Sequence, residues 1–300
     1  MLITRFLDPK NDFAFKQIFG TEKNKDILIH FLNDILGYQG QDKIIEVNFL
    51  KTIQDPEIAA YKQSIVDVLC RDQKGTQIII EMQVSKHAGF EERAQFYASK
   101  AYSSQVIKAD DNSQGLAAYT KLKGVIFLAI ADFIMFPKKD EWISEHKIQD
   151  VKTSVNDLKA FYFIFMELPK FQKNIDELDN LIEKWAYFFK HAHQSTLAEM
   201  DDLIGADVII KRAFQAIDQA SWSEEELRTY EHLIKTYADN LAVEQQKIAD
   251  AKEEGKVEGE VKGRTEEKLG IARKMLVKGG SIEEIMEITE LSRAEIESIL

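Results

Sequence analysis

Hydrophobic positions change period several times along the chain, and each change predicts an element. From 9 to 37, Phe13, Phe15, Ile18 and Phe19, then Ile27 to Leu36, recur at helical spacing. Asp8 or Asn11 can cap this region, Gly20 interrupts it and Gly37 stops it. Ile44 to Leu50 is a short strand candidate. Residues 61–71 and 76–84 then alternate with a period of two and predict a hairpin, turned by Asp72-Gln73-Lys74-Gly75. After Gly89 the spacing is helical again, with Phe90, Ala94, Tyr97, Ala101 and Val106 near one face up to about Ala109. Lys123 to Ala131 is a continuous apolar run, as expected of a strand buried on both faces. The order helix, three strands, helix, strand predicts an α/β layer architecture with a mixed sheet.

The hairpin contains an electrostatic conflict. Centred on Lys74, it sets Asp67 opposite Glu81, and Gln83 shares their face. Around them lie Ile65 and Ile79 on the same face, and Val66, Val68, Ile80 and Met82 on the other. Directly opposed Cβ atoms are ~5 Å apart, where like charges repel. Two carboxylates in such apolar surroundings need a cation or a shared proton, and a divalent metal meets that need.

Beyond 138, His146–Val151 and Phe161–Leu168 predict further strands, the second ended by Pro169. Residues 175–193 and 196–220 are helical by spacing, and Ser223 with Glu226 forms a capping box for a polar helix to about 254. Gly255, Gly259 and Gly263 then recur every four residues, and each costs a helix ~1 kcal/mol relative to alanine. That stretch predicts a linker or a weak oligomerisation helix. Leu269–Lys278 is amphipathic. Ser281/Glu284 and Ser292/Glu295 open two short helices with Ile282, Ile285, Ile288, Leu291, Ile296 and Leu300 inside, a helix-turn-helix-like set. SRAEIESIL offers one arginine against two glutamates, which favours a protein contact over DNA reading.

The net charge of −12 argues against a nucleic-acid partner only until its distribution is considered. Residues 1–137 hold 16 Lys and Arg against 17 Asp and Glu, so the acidity belongs to the remainder, with 23 against 34. The N-terminal part permits phosphate contact without a strong basic patch. One cysteine, Cys70, excludes an internal disulfide framework and fits a reducing, cytoplasmic setting; within an apolar strand it reads as a packed thiol. The N-terminal residues lack a signal-peptide run, and Gly124–Phe136 is too short to span a bilayer, so no membrane role is expected. His191 and His193, at i and i+2 of a helix, point apart and do not form a metal pair.

DPKNDFAFKQIFG at 8–20, SIVDVLCRDQKGTQIIIEMQ at 64–83, RAQFYASKAYSSQ at 93–105, ELPKF at 167–171 and the glycine-periodic tail together resemble the recombination-promoting nuclease and transposase family of bacteria. That family falls within the PD-(D/E)xK nuclease superfamily, and the likeness extends over nearly the whole chain. The resemblance implies a restriction-endonuclease-like mixed β-sheet core flanked by helices, followed by a helical C-terminal region. It implies a DNA endonuclease dependent on Mg²⁺ or Mn²⁺, in which Asp67, Glu81 and the backbone carbonyl of Met82 hold the metal. Hard divalent cations take such oxygen ligands.

Gln83 stands where the family signature has lysine, and it can orient a water but supplies no charge. Either the role moves to Arg93 or Lys100, or the metal does more of the work, or the chain is a degenerate nuclease fold that binds protein or DNA. The resemblance sets Asp12 in the first-helix motif as a further metal candidate, with a helix-start role as the alternative. Lys16, one turn later, is a candidate DNA contact or a solvated side chain, and Tyr97 is expected to pack. The expected divisions are a nuclease-like core at 1–170, a helical region at 171–252, a linker or weak helix at 253–268 and a small helical module at 269–300. Expected partners are DNA and a second copy through the C-terminal region.

Overall fold

A computed structural model of the chain describes residues 5–51, 53–54, 64–107, 119–205 and 207–299. The start of the expected strand at 61–63, the helix end at 108–109 and Leu300 lie outside the described residues. The chain divides into two compact units, Met1–His232 and Leu233–Leu300.

In the first unit the strands are β1 (Val47–Phe49), β2 (Ile53–Gln54), β3 (Ser64–Ile65), β4 (Val68–Asp72), β5 (Gln77–Gln83), β6 (Val125–Ala131), β7 (Ile143–Lys147) and β8 (Phe161–Glu167). Six of them form one mixed sheet in the order β1-β4-β5-β6-β8-β7, and β2 pairs only with β3. β1, β4 and β5 are antiparallel, β5, β6 and β8 run parallel, and β7 returns antiparallel to β8. β6 is buried at every position, because helices cover both faces of the sheet.

The helices are α1 (Asp12–Phe19), α2 (Lys25–Leu36), α3 (Phe90–Ile107), α4 (Leu181–His191), α5 (Leu197–Ile204), α6 (Val208–Ile217) and the start of α7 (Glu224–Val277). Apolar residues of α1, α2, α4 and α6 pack with Ile78, Ile80, Ile126, Leu128 and Ile164 on one face. Phe90, Ala94, Ala98 and Ala101 of α3 pack with Leu69, Ile79, Phe127 and Phe165 on the other. The helices between 171 and 220 therefore close one layer of the sheet domain. Cys70 is a buried core thiol, and burial pushes its pKa up to about 12.

Two expectations are corrected and a third is narrowed to one of its alternatives. The strand expected over 61–71 breaks at Val66–Asp67, where β3 leaves for a different sheet from β4. The break turns Val66 to the α3 face, although alternation assigns it to the face of Val68 and Ile80. The strand expected at 146–151 instead runs Ile143–Lys147, because it pairs with the aromatic strand β8 in a register from Ile143↔Met166 to Lys147↔Tyr162. The stretch 253–268 is a continuation of the 54-residue α7, so the helix reading and not the linker describes it. Glu and Lys are good helix formers, and pairs such as Glu258–Lys262 at 2.8 Å offset part of the glycine cost.

The second unit holds the rest of α7 with α8 (Ile282–Thr289) and α9 (Arg293–Glu297). Ala272, Ile285, Leu291 and Ile296 make its small core, and both expected capping boxes form. No helix among the described residues is long and apolar enough to cross a membrane.

The tightest part of the first core is aromatic. Trp185 is fully buried, 5.2 Å from Phe31 in an edge-to-face contact, and its indole N–H donates to Asp34 at 2.8 Å. Trp185→Ala empties this site and removes the indole donor to Asp34, so a loss of ~3–5 kcal/mol is expected in urea unfolding. Val151→Ala, at a position 98% exposed, is expected to change stability by less than ~0.5 kcal/mol.

Candidate active site

The hairpin turn fixes the register. Gly75 adopts a φ of +90°, which a side chain disfavours, and its N–H donates to the Asp72 carbonyl at 3.0 Å. The Asp72 carboxylate accepts from the N–H groups of Lys74 and Thr76. Pairing then runs Arg71↔Gln77 to Val68↔Ile80, and the next step brings Asp67 opposite Glu81, as the sequence predicts.

Asp67 sits at the bend just before β4. There the strand no longer offers a ladder partner, and the Asp67 carboxylate takes its place: Oδ2 accepts from the Met82 N–H at 2.9 Å. In an antiparallel pair the N–H and C=O of one residue point the same way, so the Met82 carbonyl also faces the Asp67 side. The Asp67 backbone lies close enough to the Glu81 carboxyl to lower its pKa slightly, against the larger effect of burial. Glu81 is only 5% exposed, and its Oε1 finds no hydrogen-bond partner among the described residues. A buried carboxylate oxygen with no donor is costly.

Burial pushes the Asp67 carboxyl up to about 6, against the lowering effect of the Met82 N–H. Burial raises Glu81 to about 8, and the Asp67 charge adds to the rise. The site therefore strains against holding two negative charges.

Cations approach from both faces of the sheet. Lys16 of α1 has its Nζ 2.7 Å from Asp12 Oδ1 and 3.5 Å from Asp67 Oδ1. Burial opposes its charge, but Asp12 and Asp67 outweigh that and raise its pKa. Arg93 of α3 donates through Nη2 to Gln83 Oε1, and its guanidinium packs on the rings of Phe90 at 4.9 Å and Tyr97 at 6.0 Å. The Gln83 Nε2 donates to the Ser85 carbonyl at 3.1 Å. Burial raises the Tyr97 hydroxyl against the lowering effect of Arg93, and its ring packs against the α3-face core.

The structure thus brings together Asp12, Lys16, Asp67, Glu81, Met82, Gln83 and Arg93. Lys100 lies two turns beyond Arg93, about 10 Å further along the α3 axis, and Arg93 is the α3 cation that meets Gln83. Among the described residues no group of three or more His, Cys, Asp or Glu side chains stands ready for a metal. Asp12 is mostly exposed and engaged with Lys16. The fit for a divalent cation rests instead on the Asp67/Glu81 pair, the unpartnered Oε1 and the Met82 carbonyl, a hard-oxygen donor set.

Sequence reasoning missed what holds α1 and the neighbouring loop in place. The Lys10 ammonium bonds Asp132 at 2.7 Å, and the Asp132 N–H donates to the Gln83 carbonyl. Glu167, fully buried, accepts from the N–H groups of Met135 and Phe136 and pairs with Lys170 at 2.6 Å. The available signal was a glutamate closing an aromatic strand, followed three residues later by lysine. Gly20 closes α1 where a Cβ would lie 2.8 Å from the Lys16 carbonyl and 3.5 Å from Val68.

Because the folded-state values of Asp67 and Glu81 lie above the ordinary ones, the folded chain binds more protons than the unfolded chain between about pH 4 and pH 8. Without a bound cation the pair's contribution to stability is present below this window and lost as pH rises through it. Urea midpoints of metal-free protein measured across these pH values should fall more steeply for the wild type than for Glu81→Gln.

A family model for PD-(D/E)XK nuclease family transposases matches residues 9–247, which includes every residue of this site. Comparisons with curated proteins and with solved structures each find no match. The mixed six-stranded sheet with helices on both faces agrees with the family's α/β fold. The chain belongs to the PD-(D/E)XK nuclease family transposases.

Proposed function

We propose that the chain is a metal-dependent DNA endonuclease, cleaving phosphodiester bonds with Mg²⁺ or Mn²⁺ at the Asp67/Glu81 pair. The observation that carries this reading is the buried Glu81 Oε1, without a hydrogen-bond partner among the described residues, on a carboxyl whose pKa the neighbouring Asp67 charge helps raise. PD-(D/E)XK nucleases generally use divalent metals. Asp67, Glu81 and the Met82 carbonyl would hold the ion, which polarises a phosphoryl oxygen and lowers the pKa of the attacking water.

In the reaction a water oxygen joins phosphorus and the bond to the sugar oxygen breaks. The water gives up one proton and the leaving oxygen gains one. Gln83 is engaged on both ends of its amide, so its part is to aim the Arg93 guanidinium and not to act as a base. A guanidinium held on two aromatic rings near the carboxylates supports phosphate binding and charge stabilisation in the transition state.

That engagement of Gln83 also favours a second reading, a degenerate nuclease fold that binds DNA or protein without turnover. One experiment separates the two. Purified protein should nick plasmid DNA with Mn²⁺ or Mg²⁺ and stop on chelation, and Asp67→Asn or Glu81→Gln should lower the rate at least ~10³-fold. Equal cleavage by wild type and both variants removes the nuclease reading. DNA binding without divalent binding or cleavage favours the second.

The C-terminal region fits self-association. Ile234, Tyr237, Leu241 and Ile248 of α7 are 37%, 45%, 40% and 62% exposed at spacings of three, four and seven residues. That is the spacing of a coiled-coil seam, and a second copy would supply the second active site that breaking both DNA strands requires. Light scattering should give a dimer mass for the wild type and a monomer mass for the Leu241→Glu, Ile248→Glu double variant; equal masses reject it.

A further inference from the structure

We propose that Lys16 is an exchangeable internal counter-cation: it neutralises Asp67 before metal enters, yields that carboxylate to the metal, and then faces the scissile phosphate from its anchor on Asp12. This rests on the nuclease reading above and assigns the positive charge that Gln83 lacks.

The geometry points to exchange. Asp67 has one oxygen, Oδ2, committed to the Met82 N–H, so Oδ1 is the oxygen left for a metal. Lys16 Nζ stands 3.5 Å from that same Oδ1. The ammonium and a divalent ion therefore compete for one atom. The competition is uneven, because the Lys16–Asp67 contact is long while the Lys16–Asp12 contact is 2.7 Å. An entering divalent ion repels the ammonium, and the shorter bond keeps it nearby.

Only the side chain needs to move. The α1 backbone is fixed by the Asn11 cap, by Lys10–Asp132, and by fully buried Phe15, Ile18 and Phe19. The Lys16 side chain is 36% exposed, on a four-carbon stem that can swing between partners. Arg93 differs: it is held by Gln83 and two rings, a fixed charge arriving from the opposite face. Lysine and arginine thus divide the work of one missing lysine, the first movable and the second rigid. Lys16 stays protonated throughout, so no proton transfer is assigned to it.

The test uses the full chain and two readouts: Mn²⁺ affinity by calorimetry without DNA, and plasmid nicking at saturating Mn²⁺. Lys16→Met removes the competitor, so Mn²⁺ should bind roughly tenfold tighter, while nicking falls ~10²-fold or more. Asp12→Asn, at an exposed helix position, leaves Lys16 with Asp67 as its remaining acidic partner. It should weaken Mn²⁺ binding and also slow nicking. Circular dichroism melting checks that both variants fold, and Lys16→Gln, which also removes the charge but keeps a polar side chain, takes the place of Lys16→Met if that variant does not; it too should bind Mn²⁺ more tightly and nick more slowly.

Unchanged or weaker Mn²⁺ binding in Lys16→Met overturns the counter-cation role. Unchanged nicking in Lys16→Met overturns the phosphate role. A wild type that binds Mn²⁺ and nicks DNA while both variants match it sinks this inference alone. A wild type that binds no Mn²⁺ removes the nuclease reading and this inference together.

Discussion

Two carboxylates are held face to face by a hairpin register, and much of the surrounding structure answers that repulsion. The turn at Asp72–Gly75 sets the pairing, and the break before Val68 lets Asp67 turn its side chain toward Met82. Asp67 is tied to β5 by the Met82 N–H, and Glu81 is buried beside it. That bond fixes direction but supplies only partial charge. Removing the remaining charge requires protons, ammonium and guanidinium groups, or a metal, and the raised pKa values of both acids register the shortage.

The sheet's topology decides where those cations come from. Glu81 and Gln83 lie at the carboxyl end of β5, beside parallel β6 and β8, where open α/β sheets leave a crevice for ligands. Helices on opposite faces converge on this edge, α1 with Lys16 and α3 with Arg93. Their aim depends on ties remote from the chemistry. Lys10–Asp132 anchors the start of α1 to the segment following β6, and Glu167–Lys170 fixes the same loop three and four residues later. A buried ion pair of this kind stabilises little in net terms, yet losing one member leaves an uncompensated charge. Its value here lies in the position it imposes.

How much of this the sequence reveals depends on the range of the interaction. Asp67 opposite Glu81 was legible because a hairpin register needs only a turn and a period of two. The break at Val66 was not, since a strand that leaves for another sheet obeys pairing partners distant in sequence. The capping boxes at 281 and 292 were legible because they are complete within four residues. The path of α7 through Gly255–Gly263 was ambiguous for the opposite reason: local propensity is weak there, and length and flanking residues decide. Lys16 was read as a possible phosphate contact, but its reach to Asp67 spans 51 positions and only the packing of α1 on β4 creates it.

Gln83 was the least expected of the site residues, and its surroundings give it a physical reason. Its Oε1 accepts from Arg93 while its Nε2 donates to the Ser85 carbonyl, so both ends of the amide are used. A lysine at this position would set an ammonium against the Arg93 guanidinium in a half-buried setting, where like charges repel strongly. It would also leave Arg93 without the acceptor that orients it. Glutamine and arginine therefore form one unit: the neutral residue gives up its own charge and fixes the direction of another. Position 83 itself carries no charge, and the cations nearest the carboxylates stand on the two flanking helices, Lys16 on α1 and Arg93 on α3.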